Sequence, residues 1–125
     1  MRSLVVVLLL TRLGAAQDPS PSGTEFFEKK IRPVLVARCI GCHGPDPKKQ
    51  KGGLALDTRE GLLKGGSAGP AVVPGDAERS LLVKAVRYGD PDLRMPPPRE
   101  KSRLSAQEIS DINDLLATLK TINRR

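Results

Sequence analysis

A chain of 125 residues leaves room for one domain, and 11 prolines, 12 glycines, two phenylalanines, one tyrosine and no tryptophan make its own core thin for that size. The net charge of +7 suits acidic protein partners or anionic membranes, but the aromatic interleaving and arginine stripe of a nucleic-acid binder are missing.

In chain order, Met1-Arg2-Ser3 is a short basic start, Leu4 to Leu10 an unbroken apolar run, and Gly14-Ala15-Ala16 a small-residue stretch before Gln17-Asp18-Pro19. Residues 1–16 therefore read as a secretory signal peptide cleaved after Ala16, and export to a periplasm is expected. The apolar run, even counted across Arg12, falls short of the roughly 20 residues of a spanning helix, which weighs against an uncleaved anchor. Loss of Arg2 and Arg12 would lower the net charge from +7 to +5. Residues 17–23 form a polar linker, 24–120 the folded domain and 121–125 a tail.

Ser22-x-x-Glu25 is a capping box ahead of Phe26, Phe27, Ile31, Val34 and Leu35, and predicts a helix from near residue 23. Pro33 either kinks that helix or opens a second short segment leading into Cys39. Residues 44–53 form a loop with the cluster Lys48-Lys49-Gln50-Lys51. A short helix follows over 57–64 with Asp57 as its cap, then an irregular Gly/Pro-rich stretch over 65–75. The next predicted helix runs from its cap Asp76 to about Tyr88, with Leu81, Leu82, Ala85, Val86 and Tyr88 on one face. A loop over 89–103 carries Met95-Pro96-Pro97-Pro98. The last helix opens on the capping box Ser105-x-x-Glu108 and aligns Ile109, Ile112, Leu116 and Leu119 in one apolar stripe. No alternating strand and no internal repeat occurs, so the fold class is all-α with long loops.

Cys39-Ile40-Gly41-Cys42-His43 spells C-x-x-C-H. At this spacing two thiols can add to the two vinyl groups of one haem, and the adjacent imidazole can ligate the iron. Cys39 and Cys42 are the only cysteines and His43 the only histidine, so none of the three is spare. The leading expectation is one covalent haem c, with thioether bonds at Cys39 and Cys42 and His43 as proximal ligand. The second imidazole nitrogen needs an acceptor, most simply a backbone carbonyl near the Gly44–Pro47 turn. The porphyrin would supply the flat apolar body that the composition lacks. Two rivals share the spacing. A thioredoxin-like redox pair needs a βαβ context, which is absent, and a zinc site needs a further Cys or His. An oxidising compartment would also favour a Cys39–Cys42 disulfide, with which haem attachment competes.

The sixth ligand follows by elimination. A second histidine does not exist, and with Met1 in the leader Met95 is the remaining methionine. Its thioether is a soft, neutral ligand on a proline-stiffened loop, and His/Met ligation raises the haem potential. A filled iron has no vacancy for substrate and suits the passing of single electrons. The alternatives stay open: Met95 as plain packing, with the iron free or bound by Lys or water. That would make a ligand-binding or sensing module capable of peroxidase-like chemistry. No paired-carboxylate, Ser/His/Asp or phosphate-loop pattern marks an enzyme, and no small-molecule substrate is expected.

Weaker candidates surround this constellation. Leu54, Leu56, Val72, Val73, Pro74, Leu81 and Leu82 are candidate pocket walls or plain core. Arg38, Arg87 and Tyr88 are candidate partners of a haem propionate, and Lys48, Lys49 and Lys51 a candidate docking patch.

The stretch Phe26-Phe27-Glu28-Lys29-Lys30-Ile31-Arg32-Pro33-Val34-Leu35 leading into Cys39–His43 resembles the planctomycete-type cytochrome c domain. So do Gly52-Gly53-Leu54-Ala55-Leu56-Asp57-Thr58-Arg59-Glu60-Gly61, Gly69-Pro70-Ala71-Val72-Val73-Pro74-Gly75, Ser80-Leu81-Leu82 with Ala85-Val86-Arg87-Tyr88, Met95-Pro96-Pro97, and Leu104-Ser105 with Glu108-Ile109. The resemblance covers about residues 24–119. It implies a class I-like cytochrome c fold around one haem held by Cys39, Cys42 and His43, and it implies Met95 as distal ligand. Members typically carry a tryptophan in the last helix near Leu115, which this chain lacks. The expectation is thus an exported monohaem cytochrome that passes electrons between redox partner proteins, acidic or membrane-bound.

Overall fold

The computed structural model describes residues 21–119, and the expected leader, most of the linker and the tail lie outside them. Among the described residues every regular element is helical, apart from one isolated bridge between Gly66 and Gly69. The fold is all-α. No helix among these residues is long and apolar enough to cross a membrane.

Helix α1 covers Pro21–Phe26 at the start of the described residues, so Ser22, the expected cap, lies within helical backbone. The chain then widens into a π-turn over Phe27–Ile31, with the Arg32 N–H bonded to the Phe27 carbonyl. Pro33 has no N–H to donate and its ring crowds the preceding turn. Helix α2, Arg32–Arg38, restarts with Pro33 in its first turn, so the proline opens a new segment. After a break at Cys39, the single turn α3 runs from Ile40 to His43.

Helix α4, Arg59–Lys64, is capped by Thr58, whose Oγ1 accepts from the Gly61 N–H at 3.0 Å; the cap expected at Asp57 falls one residue early. Gly65 closes α4 at φ +71°, where an added Cβ would lie 1.9 Å from the Gly69 carbonyl oxygen. Only glycine meets both conditions.

The helix expected from Asp76 to Tyr88 is shorter: α5 spans Leu81–Val86. Asp76 caps only a turn, its Oδ1 accepting from Arg79 N–H at 3.1 Å. Ser80 is extended at ψ 120° and interrupts the helical path. Its hydroxyl is turned to Val73, whose N–H it accepts at 2.9 Å, a partner that no helix could offer. A 3-10 turn over Pro98–Glu100 precedes α6, Ala106–Thr118. The capping box forms as expected, with Glu108 N–H on Ser105 Oγ at 3.1 Å and Ser105 N–H on Glu108 Oε2 at 2.8 Å.

Helix α6 packs on the π-turn and on α5. Ile112 and Leu116 of its stripe are buried with Ile31, Val34 and Leu35 from the N-terminal side and Val83 and Val86 from α5, while Ile109 and Leu119 pack at the edge. Leu56, Ala71, Val72 and Leu104 bring the loops into the same core. This frame sets α2–α3, which carry Cys39 to His43, opposite the loop that follows α5.

Candidate functional site

Between these walls lies a cavity of about 690 Å³, within the roughly 300–1,000 Å³ of small-molecule and cofactor sites. Cys39, Cys42, His43 and Met95 all line it. Met95 arrives from the loop after α5, where its N–H bonds to the Ala85 carbonyl at 3.1 Å and Pro96 beside it is buried. Four residues from two distant stretches are therefore brought to one cavity. Leu54, Leu56, Leu81 and Leu82 are among its apolar walls, as expected of them. Val72 and Pro74 instead line a second, apolar cavity of about 280 Å³ beside Leu115, and Val73 lines neither. Leu56 and Leu82 form the partition between the two.

The Cys-x-x-Cys-His turn is built by backbone bonds. Cys39 N–H donates to Leu35 O and His43 N–H to Cys39 O, both at 2.9 Å. Gly44 ends the turn so close to α3 that a Cβ would lie 2.6 Å from the Ile40 carbonyl oxygen. Cys42 is exposed, Cys39 is half-buried, and the two thiols are not bridged. Burial pushes the Cys39 thiol up to about 11, against a smaller opposing pull from the Arg38 guanidinium. A thiol held neutral in this way is the reverse of the low-pKa nucleophile of a dithiol oxidoreductase.

His43 Nδ1 is buried and has no hydrogen-bond partner. The expected carbonyl near the Gly44–Pro47 turn does not supply one. Cys42 O accepts from Lys51 N–H at 2.9 Å, His43 O from Leu56 N–H at 2.7 Å, and Gly44 O from Gln50 Nε2 at 2.8 Å. A buried unpaired polar atom costs roughly 1–3 kcal/mol, so this imidazole is kept where it is at a loss to the fold alone.

Of the three candidate propionate partners only Arg38 lines the cavity. Its Nη1 donates to Ser102 O at 2.8 Å and Arg103 O at 3.1 Å, and its Nη2 lies 3.6 Å from Glu108 Oε1. Arg87 is drawn away to Glu78 and Asn113, at 2.8 and 2.9 Å. The Tyr88 hydroxyl donates to the Pro96 carbonyl. Arg94 and Arg99 line the cavity instead. Sequence reasoning passed over both, although they flank Met95 and its prolines. Of the basic loop cluster Lys51 lines the cavity, while Lys48 and Lys49 sit outside it on an exposed turn, with Lys49 Nζ 3.9 Å from Asp46.

These residues fit a covalent haem. Two unbridged cysteines, an imidazole with an orphaned nitrogen and a thioether line one apolar-walled cavity of cofactor size. A zinc site fits less well, since no group of three or more His, Cys, Asp or Glu side chains able to hold a metal occurs among the described residues.

Neither the curated proteins nor the solved structures offer a significant match to this chain. A family model, planctomycete cytochrome C, matches residues 39–99, a span that opens at Cys39 and takes in Met95. Over that span the chain is similar to the planctomycete cytochrome c family, a likeness that suggests a c-type cytochrome and implies haem c binding.

Proposed function

We propose that this protein is an exported one-electron carrier with a single haem c, bonded to Cys39 and Cys42 and ligated by His43 and Met95. The observation that carries this reading is the convergence of all four side chains on one cavity from two stretches 52 residues apart, counted from His43 to Met95. A haem bound there would supply reversible one-electron chemistry at a potential that His/Met ligation raises. The chain's own contribution is to shape the cavity with leucines, to present two soft or neutral donors and to keep the iron filled. A filled site favours electron passage over substrate activation, which is why a carrier is preferred to an enzyme.

The charged side chains lining the cavity support an acidic redox partner, a protein or a membrane-bound complex. Arg38, Lys51, Arg94 and Arg99 are basic, and Glu100 is the single acid among them. Positive charge around a redox site steers negatively charged partners and fixes their orientation. Export and periplasmic residence rest on the leader pattern of residues 1–16.

The test is a redox titration of protein matured in a periplasm competent for haem c attachment, with the far-red absorption of the ferric form recorded. A one-electron transition with a methionine–iron charge-transfer band, lost in Met95→Ala together with a lowered potential, is expected. Covalent haem that lacks the band in the unsubstituted protein would replace the carrier by an open-site binder.

A further inference from the structure

The two walls of the cavity are joined by a chain of contacts through Arg38, Arg103 and Tyr88. Arg38, next to Cys39, donates to the carbonyls of Ser102 and Arg103 at 2.8 and 3.1 Å. The Arg103 guanidinium lies over the Tyr88 ring, 4.5 Å from its centroid, with Arg94 at 6.0 Å. The Tyr88 hydroxyl then donates to the carbonyl of Pro96, the neighbour of Met95. Tyr88 reaches this position in a left-handed backbone conformation at φ 60°. Glycine adopts that conformation freely, whereas a bulky side chain there persists only where its surroundings hold it. The contacts at its ring and hydroxyl do so.

We propose that Tyr88 is a positioning residue for Met95, and that Arg38, Arg103 and Tyr88 form a strap holding the Met95 loop against the wall that carries Cys39 to His43. The proposal rests on the reading of Met95 as iron ligand. Tyr88 does not itself line the cavity; it acts through Pro96 on the sulfur next door. Met95 has a second tether, since its N–H and that of Tyr88 share the Ala85 carbonyl, each at 3.1 Å. With the backbone anchored at Ala85, the Tyr88 hydroxyl restrains the far side of Met95. Its loss frees the sulfur to leave the iron while the fold stays intact.

The experiment is a titration of the ferric holoprotein with imidazole, which competes with the methionine sulfur. Tyr88→Phe keeps the ring under Arg103 and removes only the hydroxyl. It is expected to raise imidazole affinity about fivefold, the factor that one ordinary net hydrogen bond is worth. In a Met95→Ala background, where affinity is already high, the same substitution is expected to change nothing. Arg103→Gln, which loosens the ring instead, is expected to act in the same direction by about threefold, and it tests the strap if Tyr88→Phe does not mature. Affinity unmoved by both variants, while Met95→Ala raises it, would overturn the strap and leave the ligand reading standing. An equal effect of Tyr88→Phe with and without Met95 would also overturn it. If Met95→Ala itself leaves imidazole affinity and the far-red band unchanged, the ligand reading fails first and the strap with it.

Discussion

Replacing both thiols of the proposed attachment site, Cys39→Ser with Cys42→Ser, is expected to lower the melting temperature by about 15–30 °C relative to the matured protein. The described chain lines a half-open cavity of about 690 Å³ within a small domain, and it leaves His43 Nδ1 buried without a partner. A group that binds only the folded state adds about 4 kcal/mol when present at a thousand times its dissociation constant, and covalent tethering makes the effective concentration high. For a domain of this length each kcal/mol moves the midpoint by about 4–8 °C. The aromatic-poor composition points the same way: Phe26, Phe27 and Tyr88 cannot furnish the bulk that the cavity lacks. Thermal unfolding followed by far-ultraviolet circular dichroism checks this. Equal midpoints for the double serine variant and the matured protein would show that the core stands without a cofactor.

Ser80→Ala is expected to cost about 2–3 kcal/mol, a large penalty for the loss of one oxygen atom. Ser80 is fully buried. Its Oγ accepts from Val73 N–H at 2.9 Å and donates to Asp76 O at 2.8 Å. Alanine would leave a part-buried N–H without its acceptor and a carbonyl without its donor, beside a fully buried side chain, and an unsatisfied buried group costs roughly 1–3 kcal/mol. The position also ties fold to site. Ser80 fixes where α5 begins, and the carbonyl of Ala85 near its end holds the N–H of Met95. Urea unfolding of the matured variant should show a lower midpoint with an unchanged slope. A loss below about 0.5 kcal/mol would mean that the Val73 loop finds other partners.

Signals that act within a few residues were legible in the sequence. The Ser105–Glu108 box is satisfied by atoms three residues apart, so its four-residue pattern suffices. The restart at Pro33 likewise follows from one missing N–H and one ring. The start of α5 was not legible, because Ser80 is claimed by Val73 across a turn and Asp76 is left with only that turn to cap. At α4 the competition between neighbours Asp57 and Thr58 is decided by which oxygen reaches Gly61 N–H.

The same division holds at the site. Scarcity made Cys39, Cys42, His43 and Met95 stand out, and a chain with one histidine and two cysteines offers few other ways to arrange a metal centre. What surrounds them depends on tertiary packing. Arg87 is adjacent to Tyr88 in sequence yet turns to Glu78, ahead of α5, and to Asn113 on α6, whereas Arg94 and Arg99 follow the Met95 loop to the cavity. The unpartnered Nδ1 of His43 was not legible in the sequence either.

The most direct test of the central claim is the intact mass of the matured protein under denaturing conditions, followed by mapping of the modified peptide. One haem added per chain, resistant to unfolding, is expected on the peptide that holds Cys39, Cys42 and His43. An unmodified mass, or one lowered by the two hydrogens of a Cys39–Cys42 disulfide, would contradict it.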